Sequence, residues 1–138
     1  MRERPVRFLS VENVLSIHAD TIAEEGGSAG VRDIGLLESA VAMPQAAFEG
    51  TSLHPGLAAM AAAYLFHLCQ NHAFVDGNKR AAAFSTVLFL ALNGVTDDAL
   101  PPEADLEHVT LSVARGEMIK TDITLWLQSL IKITTPME

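Results

Sequence analysis

Two apolar runs, Leu57–Cys69 and Ala81–Leu92, enclose one short polar stretch, and this arrangement constrains the fold more than any other feature. Leu57–Cys69 is apolar nearly all round and contains five alanines. A helix of that kind needs cover on every face and lets its neighbours approach closely. In the second helix, Phe84, Val87, Leu88 and Ala91 share one face at helical spacing, and Phe89 and Leu90 widen it. Neither run reaches the roughly 18 uninterrupted apolar residues of a membrane span. The expected fold is all-α: a compact bundle around two buried central helices, in a single domain over residues 1–138.

The stretch between the runs, His72-Ala73-Phe74-Val75-Asp76-Gly77-Asn78-Lys79-Arg80, concentrates the polar chemistry. Gly77 reaches backbone angles that let successive N–H groups turn toward one ligand. The helix starting near Asn78 directs unpaired N–H groups and its positive dipole end at the loop, which suits phosphate. Lys79 and Arg80 add positive charge, and arginine can grip phosphate with two bonds. Asp76 is out of place beside phosphate unless a cation lies between, which points to Mg²⁺. His72 ordinarily titrates near neutrality and is the natural general base. Phe74 is expected to anchor the loop in the core. His67, His72 and Asp76 match no recognised metal-ligand spacing.

Elsewhere the chain reads as helices with caps. Met1–Phe8 is a frayed arm or an extended segment. Ser10 caps a helix to about Glu25 with Val11, Val14, Leu15, His18 and Ile22 on one face, ended by Gly26-Gly27. His18 there reads as a satisfied core histidine. Asp33 caps Ile34–Met43, with Leu36, Leu37, Ala40 and Val41 inward and Pro44 closing it. Arg32 is given a structural role, tying this turn to a carboxylate. Phe48–Leu53 forms a small hairpin turning at Gly50, and His54 acts as a local cap. Pro55 opens the first central helix, and Gln70 and Asn71 satisfy backbone groups at its end. The second central helix spans Asn78–Asn93, with Gly94 at its end. Leu106, Val109, Val113 and Met118 mark the next helix. Thr121 caps the last, whose stripe is Ile123, Trp126, Leu127, Leu130 and Ile131; Lys132–Glu138 is read as a loose tail.

Composition excludes some functions. A net charge of −8 in 138 residues argues against generic binding of nucleic acid or anionic membranes, which need basic surface. The single Cys69 lies in an apolar run and reads as a small core residue. With no signal-like apolar N-terminus, a soluble cytoplasmic protein is expected.

The polar stretch resembles the motif of the Fic/Doc superfamily, matched at His72, Phe74, Asp76, Gly77, Asn78 and Arg80. Lys79 is the form of the Doc (death-on-curing) branch, where nucleotidyl-transferring members carry Gly. The segment from Gly26 to Ala40 is similar to one characteristic of Doc proteins. Three departures stand out: Ala73 replaces a common Pro, Ala83 replaces a second Arg, and Gly77 follows the Fic form. The resemblance runs from about Phe8 to the C-terminal helix, and makes Phe48–Leu53 a flap that aligns a target by strand-like pairing.

By that resemblance the chain is a toxin of a toxin–antitoxin pair, acting as a protein kinase with ATP and Mg²⁺. His72, Lys79 and Arg80 are its catalytic residues; Gly77, Asn78, Lys79 and Arg80 bind the cofactor, and Asp76 holds the metal. Lys79 would disfavour the nucleotidyl-transfer pose and favour an inverted ATP offering its γ-phosphate. The implied partners are a cognate antitoxin and, as target, elongation factor Tu. AMP transfer by the same residues is the alternative; a non-catalytic antitoxin- or ribosome-binding module is the second. Thr21–Gly26 also fits an inhibitory pattern of some Fic proteins, in which Glu25 would pair with a motif arginine. The preferred reading of Glu25 is the charged last turn of a helix before its glycine cap.

Overall fold

The structure, a computed structural model, describes residues 5–134, with side-chain surroundings through Ile131. Its helices are α1 (Val11–Glu25), α2 (Ile34–Ala42), α3 (Leu57–Gln70), α4 (Asn78–Leu92), α5 (Glu103–Ala114) and α6 (Lys120–Thr134). The one sheet among the described residues is a hairpin of β1 (Ala47–Phe48) and β2 (Thr51–Ser52). Short 3₁₀ turns at Met43–Gln45 and Asp97–Ala99 complete the order.

The expected caps form. Ser10 Oγ accepts from Asn13 N–H while Asn13 Oδ1 accepts from Ser10 N–H, a reciprocal box that starts α1. Asp33 Oδ1 accepts from Leu36 N–H and starts α2. The last helix differs: Asp122 Oδ2 accepts from Ile119 N–H at 3.1 Å, so α6 begins before Thr121. It continues through Thr134, into the segment read as a loose tail; residues 135–138, and 1–4 of the expected arm, lie outside the described ones. α5 ends at Ala114, which leaves Met118 in the connection.

α3 is the axis of the molecule and packs against α2, α4, α5 and α6. Ala61, Ala62, Ala63, Tyr64 and Leu65 are fully buried in succession, as an all-round apolar helix requires. Tyr64 reaches the N-terminal segment, where its hydroxyl accepts from Leu9 N–H at 2.8 Å; burial raises its pKa to about 12. That segment is held rather than frayed: Arg7 exchanges two hydrogen bonds with the Asn93 side chain. α4 buries a different face from the expected one. Ala81, Ala82, Ser85, Thr86, Phe89 and Leu90 point inward, and Phe84 and Ala91 outward. Small residues facing α3 and α1 allow close approach, and Thr86 satisfies its hydroxyl on the Ala82 carbonyl. Hydrophobicity alone could not rank these faces.

Glu49 and Gly50 both take left-handed backbone angles at the hairpin turn, the geometry of a tight two-residue connection.

Candidate active site

The loop between α3 and α4 is fastened from outside by residues 26–33. Arg32 N–H and Asp33 N–H both donate to the Ala73 carbonyl (2.7 and 3.1 Å), and Val75 N–H donates to Gly30 O. Arg32 Nε donates to His72 O at 2.8 Å, so the arginine binds carbonyls rather than the carboxylate expected of it. Asn71 Nδ2 reaches Leu36 O, and Gln70 Nε2 reaches Val113 O; these amides stitch α3 to α2 and α5. Together they hold His72 at φ 51°, a conformation that a non-glycine residue adopts only under such restraint. The His72 imidazole is exposed and makes no hydrogen bond to the described residues.

Inside the loop, Phe74 is buried and stacks on His18, with ring centroids 3.7 Å apart. His18 Nε2 donates to the Asp76 carbonyl at 2.7 Å, the satisfied core histidine expected. The Asn78 amide closes on Phe74, accepting from its N–H and donating to its carbonyl. Its side chain is thus committed to the loop, and what it offers an anion is its backbone N–H. Gly77 sits at φ 79°, and a Cβ there would lie 3.3 Å from Ile22 and 3.5 Å from the His18 ring.

No side chain caps the N-terminus of α4, so its first N–H groups face a cavity of about 410 Å³. Asp76, Gly77, Asn78, Lys79 and Arg80 line that cavity, as do Glu25, Phe84 and the α5 residues Glu103, Glu107 and Thr110. His72 is not among the lining residues; its side chain is exposed on the same loop. The Asp76 carboxylate accepts from Ser28 N–H at 3.1 Å and Gly77 N–H at 2.9 Å. These two bonds, then the charges of Arg80 and His18, hold its pKa below the usual range, so it is ionised at neutral pH. Gly27 permits this closure, because a Cβ there would fall 2.8 Å from Asp76 Oδ2. No cluster of three or more His, Cys, Asp or Glu among the described residues forms a metal cage. One exposed, ionised carboxylate beside an anion cradle nevertheless fits Mg²⁺, which takes most of its ligands from phosphate and water.

Arg80 Nε lies 2.8 Å from Glu25 Oε1. Glu25 therefore does more than end α1: its carboxylate pairs with one nitrogen of the Arg80 guanidinium at the cavity wall. Glu103 and Glu107 also entered without forewarning, since nothing in their spacing shows which element α5 faces. His67 is not near Asp76 by any described contact. It shares the ammonium of Lys120 with His54, a cluster that neither histidine's neighbours in sequence announce.

The sequence profile of the Fic/DOC family matches residues 8–90. A toxin Doc of Mycolicibacterium smegmatis is 50% identical over 88 residues, 64% of this chain and 65% of that protein, just under two thirds of its length. A protein kinase doc of Escherichia phage P1 is 34% identical over 127 residues, covering 91% of this chain and 96% of the relative. The match includes both the loop and the 26–33 segment that fastens it, and the chain belongs to the Fic/DOC family, on its Doc side.

Proposed function

We propose that the protein is a Doc-like toxin that moves the γ-phosphate of ATP onto a Ser or Thr hydroxyl of a protein target. The carrying observation is one loop that holds both an anion cradle and an exposed histidine. Uncapped helix N–H groups, Lys79, Arg80 and ionised Asp76 face a cavity, while His72 is held exposed earlier in the same loop. Nucleotide phosphates fit the cradle, and an incoming polypeptide can reach the exposed histidine.

The hydroxyl oxygen attacks the γ-phosphorus as His72 takes its proton, and ADP leaves. Arg80 and the α4 N–H groups stabilise the charge spread over the phosphate oxygens. Asp76 would hold Mg²⁺ together with ATP, and the ion would supply further neutralisation of phosphate charge. Lys79, on the cavity wall, favours the pose that presents the γ- rather than the α-phosphate. The full-length similarity to a phage protein kinase supports phosphate rather than AMP transfer. Gly77 does not argue for AMP transfer, since its left-handed backbone angle accounts for glycine there. Elongation factor Tu is the target that the family resemblance implies, with a cognate antitoxin as the controlling partner and the cytoplasm as the site of action.

The test is transfer to elongation factor Tu from ATP labelled at the α- or the γ-phosphate. Label from γ alone, lost in His72→Ala, supports the proposal. Label from α establishes AMP transfer. Label from neither, with no ATP–Mg²⁺ effect on melting, leaves a binding module.

A further inference from the structure

A second polar cluster lies outside that cavity. Lys120 Nζ is 3.0 Å from His54 Nε2 and 2.9 Å from His67 Nε2, and 5.9 Å from the centre of the Phe66 ring. An ammonium group only donates, so both Nε2 atoms accept and both rings carry their proton on Nδ1. Burial comes first in keeping the two imidazoles neutral, with Lys120 second; His54 adds to the effect on His67, while the Met43 carbonyl opposes it at His54. Burial also lowers the pKa of Lys120 itself. No carboxylate acts on any of the three nitrogens among the described residues. Asp122, two residues along α6, accepts from Ile119 N–H instead.

Such an arrangement is costly. A partly buried cation without a counter-ion, beside a His54 Nδ1 that is buried without a well-formed hydrogen bond, is poorer than apolar packing for stability alone. What it joins is therefore informative. His54 follows the hairpin directly, and its N–H donates to Ser52 Oγ at 3.1 Å. His67 is on the last turns of α3, five residues before His72. Lys120 opens α6. The hairpin consists of two-residue strands with exposed side chains, Phe48 and Leu53 among them, and an isolated hairpin of that size is marginal in water. Its entering side is fixed by buried Pro44 and the packing of Met43–Gln45 on α3. Its leaving side is fixed through His54.

We infer that Lys120, gripped by His54 and His67, is a positioning residue that fixes the hairpin (46–53) against the end of the helix that delivers His72. The consequence for catalysis rests on the function proposed above and on the flap role that the family resemblance implies for the hairpin: if the hairpin presents the target polypeptide, the clamp governs target capture rather than phosphate transfer itself.

The test is amide exchange of the full chain, wild type against Lys120→Met, read at 46–53 and at α3 and α4. Transfer kinetics with labelled ATP are measured in parallel. Expected are exchange about tenfold faster at the hairpin alone, the scale of one lost charge-assisted hydrogen bond, and a raised KM for the protein target. The kcat and the ATP–Mg²⁺ melting shift should stay unchanged. Unaltered hairpin exchange overturns the clamp, as does a loss spread evenly over α3 and α4, or a lowered kcat at constant KM. Should Lys120→Met fail to fold, His54→Phe cuts only the hairpin's side and is judged by the same outcomes. If the wild type transfers no label, the proposed function falls, and hairpin exchange still decides whether the clamp exists.

Discussion

Acid should weaken this protein well above the range where carboxylates titrate, and His67 supplies a calculable part of the effect. Burial and the Lys120 charge lower its pKa from 6.5 to about 4 in the folded chain. Between those values the unfolded chain binds the proton and the folded chain does not. The stability contributed by neutral His67 is whole above pH 6.5 and is lost as pH falls toward 4. At about 1.4 kcal/mol per pH unit, that gap sets a ceiling of about 3.5 kcal/mol. His67 is only half-buried, and screening brings the expected loss nearer 1.5 kcal/mol. Urea unfolding of wild type and His67→Leu at pH 7.5 and 4.5 isolates the contribution. The wild type should lose about 1.5 kcal/mol more than the variant across that interval, because His54 and the carboxylates titrate in both. Equal losses in the two proteins would refute the assignment of neutral, buried His67 as an acid-labile support.

Three further substitutions probe the loop. Glu25→Gln frees Arg80, but both side chains of that pair are well exposed (38% and 52%). An exposed pair is worth at most about 1 kcal/mol, so ATP–Mg²⁺ affinity should rise by no more than about fivefold in calorimetric titration. A gain of two orders of magnitude would mean that Glu25 blocks the nucleotide by more than this pair. Gly27→Ala places a Cβ against Asp76 Oδ2 at φ +114°; thermal unfolding should report a loss of about 1–3 kcal/mol. Asn78→Ala leaves both Phe74 backbone groups without the bonds it supplies, costing about 1–3 kcal/mol by urea denaturation and lowering transfer with it.

Legibility followed the range of the interaction. Ser10, Asp33, Gly26 and Gly94 act on residues within a turn of themselves, so the ends of α1, α2 and α4 could be read from the chain. The all-round apolar character of α3 identified the central helix for the same local reason. The buried face of α4 could not be read, because Ser85 and Thr86 point inward where Phe84 was expected. The loop's residue types marked it as the polar centre of the chain, but not that the Asn78 side chain is spent on Phe74 or that His72 is absent from the cavity lining. Glu25–Arg80 and His54–Lys120–His67 join residues far apart in sequence, and no pattern within one segment encodes such pairings.

The strap of residues 26–33 over the loop has one more consequence. A proline at position 73 would restrain the loop by a covalent and permanent constraint, which Ala73 does not supply. Here the restraint is two N–H groups sharing the Ala73 carbonyl, helped by the Arg32 side chain. Hydrogen bonds of that kind open and close, whereas a ring does not. How often the strap lifts is then a local equilibrium, distinct from unfolding of the whole chain.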